Sequence, residues 1–288
     1  MKEFEKFLRK KYSASTTKRY VRAIQLMIDT IGEQETRTAR FRNLTDYIQK
    51  LRVKKYSSAF IQTELSAMKA YYAHLVDEGF RMDNPAKNIY LNDQKTRSVQ
   101  FQDLFSQEEL EMLLDREERY KILKWRNKLA ISFYIYQGLT TGEITNLTIH
   151  DVNTEEGTVF IRATSRSNSR LLSIKPKQAI YAERYITFDR ESIMKEETDK
   201  LFLGKLGKPE KGEGVSYLIE CNKLLFSDRN LNPKTIRQSV FVNLFKDGKD
   251  IKDVQLFAGH RYPSTTERYK PTDLSELSDA IGRYLDLG

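Results

Sequence analysis

The segment from Pro233 to Lys270 constrains this 288-residue chain more than any other. It reads Pro-Lys-Thr-Ile-Arg-Gln-Ser-Val-Phe-Val-Asn-Leu-Phe-Lys from 233 to 246. From 251 to 270 it reads Ile-Lys-Asp-Val-Gln-Leu-Phe-Ala-Gly-His-Arg-Tyr-Pro-Ser-Thr-Thr-Glu-Arg-Tyr-Lys. A proline at 233 suits the first turn of a helix, where no N–H is needed. Ile236, Val240 and Leu244 recur every four residues and mark the apolar face of that helix. Asp247-Gly248 stops it. Val254, Leu256 and Phe257 mark a second helix, ended by Gly259, a residue suited to a left-handed cap. Pro263-Ser264 then opens a short segment that ends in Tyr269. Two short helices joined by tight turns would carry Arg237, His260 and Tyr269 to one surface.

Those three side chains share a chemistry. A guanidinium holds a phosphate with a planar two-point fork. An imidazole exchanges protons or hydrogen bonds near neutral pH. A tyrosine hydroxyl can attack phosphorus and leave a covalent phosphotyrosyl link. Together they fit transesterification of a DNA phosphodiester. The segment resembles the C-terminal signature of the tyrosine recombinase (phage integrase) family, which runs Pro-His-x-Leu-Arg-His, then Leu-Gly-His, then Ser-x-x-Thr-x-x-Tyr. Here it reads Pro233-Lys-Thr-Ile-Arg237-Gln, Ala258-Gly-His260 and Ser264-Thr-Thr-Glu-Arg-Tyr269, with matching separations from Arg237 to His260 and on to Tyr269. The resemblance implies Tyr269 as nucleophile, Arg237 as phosphate clamp and His260 as hydrogen-bond donor. Lys234 stands where the family has His; it keeps a donor and a charge but is a poor proton shuttle at its ordinary pKa. The implied chemistry uses no metal and no cofactor. Three scattered His and the single Cys221 point away from a zinc site as well.

A second box follows the same resemblance. Gly138-Leu-Thr-Thr-Gly-Glu143-Ile-Thr-Asn-Leu147 aligns with the family's Gly-Leu-Arg-x-x-Glu-x-x-x-Leu, and Asp151-Val152 follows. The family's first Arg falls on Thr140, which carries no charge. Thr158–Arg162 and Arg170–Ile174 alternate like two strands of a hairpin. In the family its turn carries a Lys; here the turn is Thr164-Ser-Arg-Ser-Asn-Ser169, so Arg166 alone could take that place, unless it is a solvated loop residue. Losing one preorganised donor costs roughly 10²–10³ in rate. Two readings therefore stay open. One is a working recombinase whose missing charges come from elsewhere, such as Arg162 or Arg166. The other is a DNA-binding protein of recombinase fold with an impaired site, acting as an accessory or regulator.

The first third of the chain is organised differently. Helical periodicity predicts helices over 2–12 (Phe4, Phe7, Leu8), over 16–31 with a cap among Ser13–Ser15, from Thr45 to about Val53, and from Ser57 or Ser58 to Glu78. Residues 1–92 carry 18 Lys and Arg against 10 Asp and Glu, and residues 93–288 carry 31 against 30. Nearly all of the net charge of +9 therefore sits in the helical part. Such asymmetry fits a nucleic-acid-facing surface, although charge alone reads equally as a soluble basic surface. Lys18, Arg19, Arg22, Lys54 and Lys55 are the candidate phosphate contacts. The four helices resemble the family's core-binding domain.

The expected division is a core-binding domain over 1–90, a linker over 91–104 and a catalytic domain over 105–288. The fold class is mainly α (α+β), with one small antiparallel hairpin or sheet in the second domain. In that domain the pattern predicts a capping box at Ser106–Glu109, a buried helix from Ile122 to Gln137, helix over 178–200, loop over 203–214 and a short strand over Leu224–Phe226. A last helix capped at Pro271-Thr-Asp273 would bear the stripe Leu274, Leu277, Ile281 and Leu285, fit either for a neighbouring protomer or for its own domain. The expected partners are double-stranded DNA, further copies of the chain as a tetramer on paired sites, and accessory DNA-bending proteins. The charged N-terminus reads as no signal peptide, no apolar run suggests a membrane helix, and a lone cysteine fits a reducing compartment. The expected location is cytoplasmic, on the nucleoid.

Overall fold

The computed structural model describes residues 1–92, 101–165 and 167–270, which form two compact units dividing between residues 97 and 98. The first unit is helical: α1 (Lys2–Lys11), α2 (Ala14–Ile31), α3 (Glu33–Thr38), α4 (Phe41–Val53) and α5 (Ser58–Asp77). Two of the expected caps form. The Ser13 hydroxyl accepts from the Thr16 N–H at 3.4 Å, and that of Ser57 from the Phe60 N–H at 3.2 Å. Phe4, Leu8, Ile24, Met27 and Leu44 fill the core, and Ile89 is buried in it too, beyond Pro85.

Two corrections concern this unit. An additional helix, α3, follows Gly32, whose φ of 91° turns the chain sharply between α2 and α3. The next helix starts at Phe41, four residues before the predicted cap at Thr45. The Asn43 side chain accepts from the Arg40 N–H at 2.9 Å and opens α4 there, while the Thr45 hydroxyl donates to the Arg42 carbonyl within the helix.

The second unit holds α6 (Gln107–Glu111), α7 (Lys124–Gln137), α8 (Thr141–Asn146), β1 (Val152–Asn153), β2 (Thr158–Ile161), β3 (Arg170–Ser173), α9 (Pro176–Arg184), α10 (Arg190–Ile193), α11 (Gly212–Glu220), α12 (Pro233–Lys246), α13 (Ile251–Ala258) and α14 (Pro263–Glu267). Mainly α, with one small antiparallel sheet, is the observed class. The sheet runs β1-β2-β3, with Val159 opposite Leu172 and Ile161 opposite Arg170. Residues directly opposite in an antiparallel pair share a face, so Arg170 joins Val159, Ile161 and Leu172 on the buried side. The capping box at Ser106 forms with Glu109. Helix α7 is buried on several sides and ends at Gly138, at φ 58°. A Cβ there would also come within 3.3 Å of Val240 and Phe241, so glycine lets α12 pack against the turn.

Several elements differ from the sequence-based expectation. Residues 121–123 form a 3-10 turn before α7. Helix within 178–200 stops at Ile193, after a π-helical stretch at Tyr185–Asp189. Leu224–Phe226 is part of a 3-10 helix rather than a strand. On α13 the buried residues are Val254 and Ala258, one turn apart; Leu256 lies about 200° round the helix from Val254 and is 73% exposed. The stripe Leu274–Leu285 and Arg166 lie outside the described residues. Among the described residues, no helix is long and apolar enough to cross a membrane.

Candidate active site

Helix α12 begins as its sequence demands. The Asn232 side chain accepts from the N–H groups of Lys234 and Thr235 at 2.9 and 3.1 Å, and Pro233 occupies the first turn. One turn on, Arg237 points into the unit. Its Nη1 donates to the Gly138 carbonyl and its Nη2 to the Ala258 carbonyl at 2.9 Å. These are the ends of α7 and α13, where the helix dipoles favour a cation. The guanidinium also lies over the Phe241 ring at 4.6 Å.

Phe241 is the hub of the expected residues. The rings of His260 and Tyr269 stand edge-on to it at 5.3 and 5.2 Å and stack on each other at 5.9 Å. The imidazole Nδ1 shares a hydrogen bond of 2.9 Å with the Thr266 hydroxyl. That buried threonine, on α14, sets the ring's orientation, a role that motif matching alone does not assign. Gly259 holds φ 70°, and a Cβ there would stand 2.6 Å from Arg170 Nη1. The hairpin turn packs on the same corner. The Asn168 N–H donates to the Gly259 carbonyl at 2.9 Å, Arg261 donates to the Thr164 carbonyl at 2.9 Å, and Ser167 bridges to His260.

Glu143 ties this corner together. It is buried, with Oε1 at 2.8 Å from Arg170 Nη1 and Oε2 at 3.5 Å from Arg237 Nη1. Oε2 also accepts from the Thr140 N–H and hydroxyl at 2.8 and 2.9 Å. Thr140 therefore serves as the N-cap of α8 in a capping box with Glu143. Burial pushes the Glu143 carboxyl up, but the hydrogen bond and charge of Arg170, with the charge of Arg237, outweigh it and hold the group below its ordinary value. Burial draws Arg237 down to about 10, aided by Arg170 and opposed by Glu143, so it stays charged at neutral pH.

Burial, then the charges of Arg237, Arg268 and Arg170, push His260 down to about 4. Its neutral form is the one the fold accepts. The unfolded chain takes up this proton near the ordinary value of about 6.5, so stability falls as the pH drops from there to about 4, by up to about 3 kcal/mol. Thermal melts across that window should show His260→Asn losing less stability than the wild type. Parallel curves would refute this.

Not every expected residue joins the cluster. Lys234 is exposed on the first turn of α12, and among the described residues no hydrogen bond or ion pair holds its ammonium. Arg162 Nη1 is paired with Asp151 and its Nη2 donates to the Thr148 hydroxyl at 3.3 Å, so it is committed away from Arg237. In the first unit Lys18, Arg19, Arg22, Lys54 and Lys55 are all exposed. Arg19 is engaged, donating to the Thr63 hydroxyl of α5 at 3.0 Å, and Lys55 holds a left-handed φ of 59° in the turn before α5. The sequence alone marks Arg170 only as a strand residue. The available signal was its place in the inward register with Leu172 and Ile174, where a cation needs a buried partner.

Comparison with known proteins bears on the whole chain. The profile described as "Phage integrase family" matches residues 104–275, and that of "Phage integrase, N-terminal SAM-like domain" matches residues 1–80. The tyrosine recombinase XerC of Lactobacillus leichmannii is 26% identical over 230 residues, covering 78% of this chain and 76% of that protein. The tyrosine recombinase XerD of Halalkalibacterium halodurans is 25% identical over 258 residues, covering 87% and 84%. Among solved structures, the Tn1549 transposon integrase in complex with transposon right-end DNA superposes with a TM-score of 0.70 at 16% identity, covering 98% of both chains. A lambda integrase dimer bound to a core site gives 0.70 at 12% identity, covering 94% and 93%. These two show a shared fold.

Proposed function

This chain belongs to the phage integrase family, and from that premise we propose that it is a site-specific DNA recombinase working through a 3′-phosphotyrosyl intermediate. The observation that carries the reading is the convergence of Arg237, His260 and Tyr269 around Phe241. In the cleavage step the Tyr269 hydroxyl oxygen bonds to phosphorus and the bond from phosphorus to the 5′ oxygen breaks. The phenolic proton is lost and the departing oxygen gains one, so the products are a 3′-phosphotyrosine and a free 5′-hydroxyl. Attack by a 5′-hydroxyl from another strand reverses the step and joins the exchanged strands. No cofactor enters this balance.

The roles follow from the environment of each group. Arg237 stays charged and steadies the negative phosphate as charge shifts to the leaving oxygen. His260, neutral at pH 7, acts as a hydrogen-bond partner or proton acceptor rather than as a cationic acid. Lys234, on the exposed first turn of α12, is the candidate proton donor to the leaving oxygen. Two sites with two strands each require four cleavages, which supports a tetramer on paired DNA sites.

Residues 1–90 form the DNA-binding domain on this reading, with Lys18, Arg19, Arg22, Lys54 and Lys55 on phosphates and residues 105–288 as the catalytic domain. If all five neutralise phosphates, affinity should fall by roughly 500-fold for a fourfold rise in salt, and each charge-removing variant should lower the slope by about one. Filter binding of Lys54→Gln and Arg22→Gln across a salt series reads this directly; slopes equal to the wild type would remove those residues from the interface.

The function itself is tested with a nicked duplex whose broken strand diffuses away after cleavage and traps the adduct. The site would be taken from DNA flanking the gene. A covalent band supports the recombinase. Thr140, which places no charge at the clamp, favours a second reading, an accessory DNA-binding protein of recombinase fold. Tight binding with no covalent band would select it.

A further inference from the structure

Resting on that recombinase reading, we infer that Arg170 is a phosphate-binding catalytic residue and provides the second guanidinium of the clamp, in place of the charge that Thr140 lacks. Arg170 opens β3 on the inward face and is buried, at 8% exposure. Its Nη1 is held by Glu143 at 2.8 Å. Its Nε and Nη2 are also buried, yet neither has a hydrogen-bond partner among the described residues. Those two N–H groups form one edge of the guanidinium plane. That edge is the two-point fork that fits two oxygens of a phosphate.

Such an arrangement is costly for a purely structural ion pair. Buried donors without acceptors each forfeit hydration, which is why folded proteins rarely leave them so. Here a whole bidentate edge is left unpaired among the described residues while the opposite nitrogen is anchored. The charge balance points the same way. Arg170 and Arg237 share the single carboxylate of Glu143, and His260 is neutral, so the cluster holds one net buried positive charge. An oxyanion bound there would offset it. The location also suits the reaction, since Arg170 lines a groove with Ser169, Gln255, Gly259 and His260. Glu143 in turn lines a second cleft with Thr164 and Lys200. The nonbridging oxygens of the scissile phosphate are the group this edge would hold while Tyr269 attacks and the 5′ oxygen departs with a proton.

The test compares two nicked duplexes carrying the flanking-DNA site, one with a normal scissile phosphate and one with a methylphosphonate there. The methyl group removes a nonbridging oxygen and its charge, and with them the need for a second clamp. On phosphate, Arg170→Gln should form adduct roughly 10²–10³ times more slowly than wild type. On methylphosphonate the deficit should shrink to within about tenfold, a tenth or less of the loss on phosphate. A structural role predicts equal deficits on both substrates. Arg170→Lys keeps a cation beside Glu143 should the Gln variant fold poorly. It too should be slow on phosphate and recover on methylphosphonate, because an ammonium lacks the fork.

Equal losses on both substrates by a folded Arg170→Lys, or wild-type rates from either variant, would overturn the assignment while leaving the recombinase standing. A wild type that forms no adduct on either duplex would overturn both.

Discussion

Tyr269→Phe is expected to abolish the covalent adduct on a nicked duplex while leaving DNA binding intact. The substitution removes one oxygen and keeps the ring. That ring contributes the packing: it lies 5.2 Å from Phe241 and 5.9 Å from His260 and is 6% exposed. Retained packing should hold the stability change to about 1 kcal/mol, the scale of one hydrogen bond. The chemical loss, by contrast, should be complete, because a phenyl ring has no nucleophile. The chain has 16 tyrosines, so an adduct that survives in the variant would move the nucleophile elsewhere. An adduct absent from both proteins, with binding unchanged, would leave an accessory DNA-binding role as the better account.

Glu143→Ala should give the largest loss of stability in the second unit. The substitution strips the carboxylate from Arg170 at 2.8 Å and Arg237 at 3.5 Å, leaving two buried cations facing each other. It also removes the acceptor for the Thr140 N–H and hydroxyl, which opens the start of α8. Breaking a buried pair from one side typically costs about 3–5 kcal/mol. Urea unfolding followed by the fluorescence of Trp125, the single tryptophan, would report this unit through α7. Glu143→Gln should fall between, since its amide oxygen keeps one acceptor without the charge. A loss under about 1 kcal/mol from Glu143→Ala would mean that the two guanidiniums find other partners.

Much of this molecule is legible in the chain. The stripes of α1, α2 and α5, the serine caps at 13 and 57, the glycine ends at 138 and 259, and the hairpin alternation are local signals. Local hydrogen-bond requirements and burial periodicity produce them, so they hold without knowledge of neighbours. The spacing of Arg237, His260 and Tyr269 is legible too, because all three lie in one segment that runs from α12 past α14. Failures came where local preference was weak. Gly212 and Gly214 in its first turn conceal α11, because glycine opposes helix by about 1 kcal/mol each. Leu224–Phe226 is too short an apolar run to separate strand from helix, and Leu224 proves 93% exposed.

The sequence by itself determined the family, the helical and hairpin elements and the candidate trio Arg237, His260 and Tyr269, since the elements rest on short-range periodicity and the trio on motif spacing within a single segment. Only the tertiary structure decided what stands around that trio. It brought Glu143 of α8 and Arg170 of β3 together from 27 positions apart, gave Thr140 a capping role, left Lys234 facing outward and committed Arg162 to Asp151. The reason is electrostatic. Strand alternation indicates that Arg170 faces inward, but the pairing and the open edge of a buried charge depend on which distant groups share its low-dielectric surroundings.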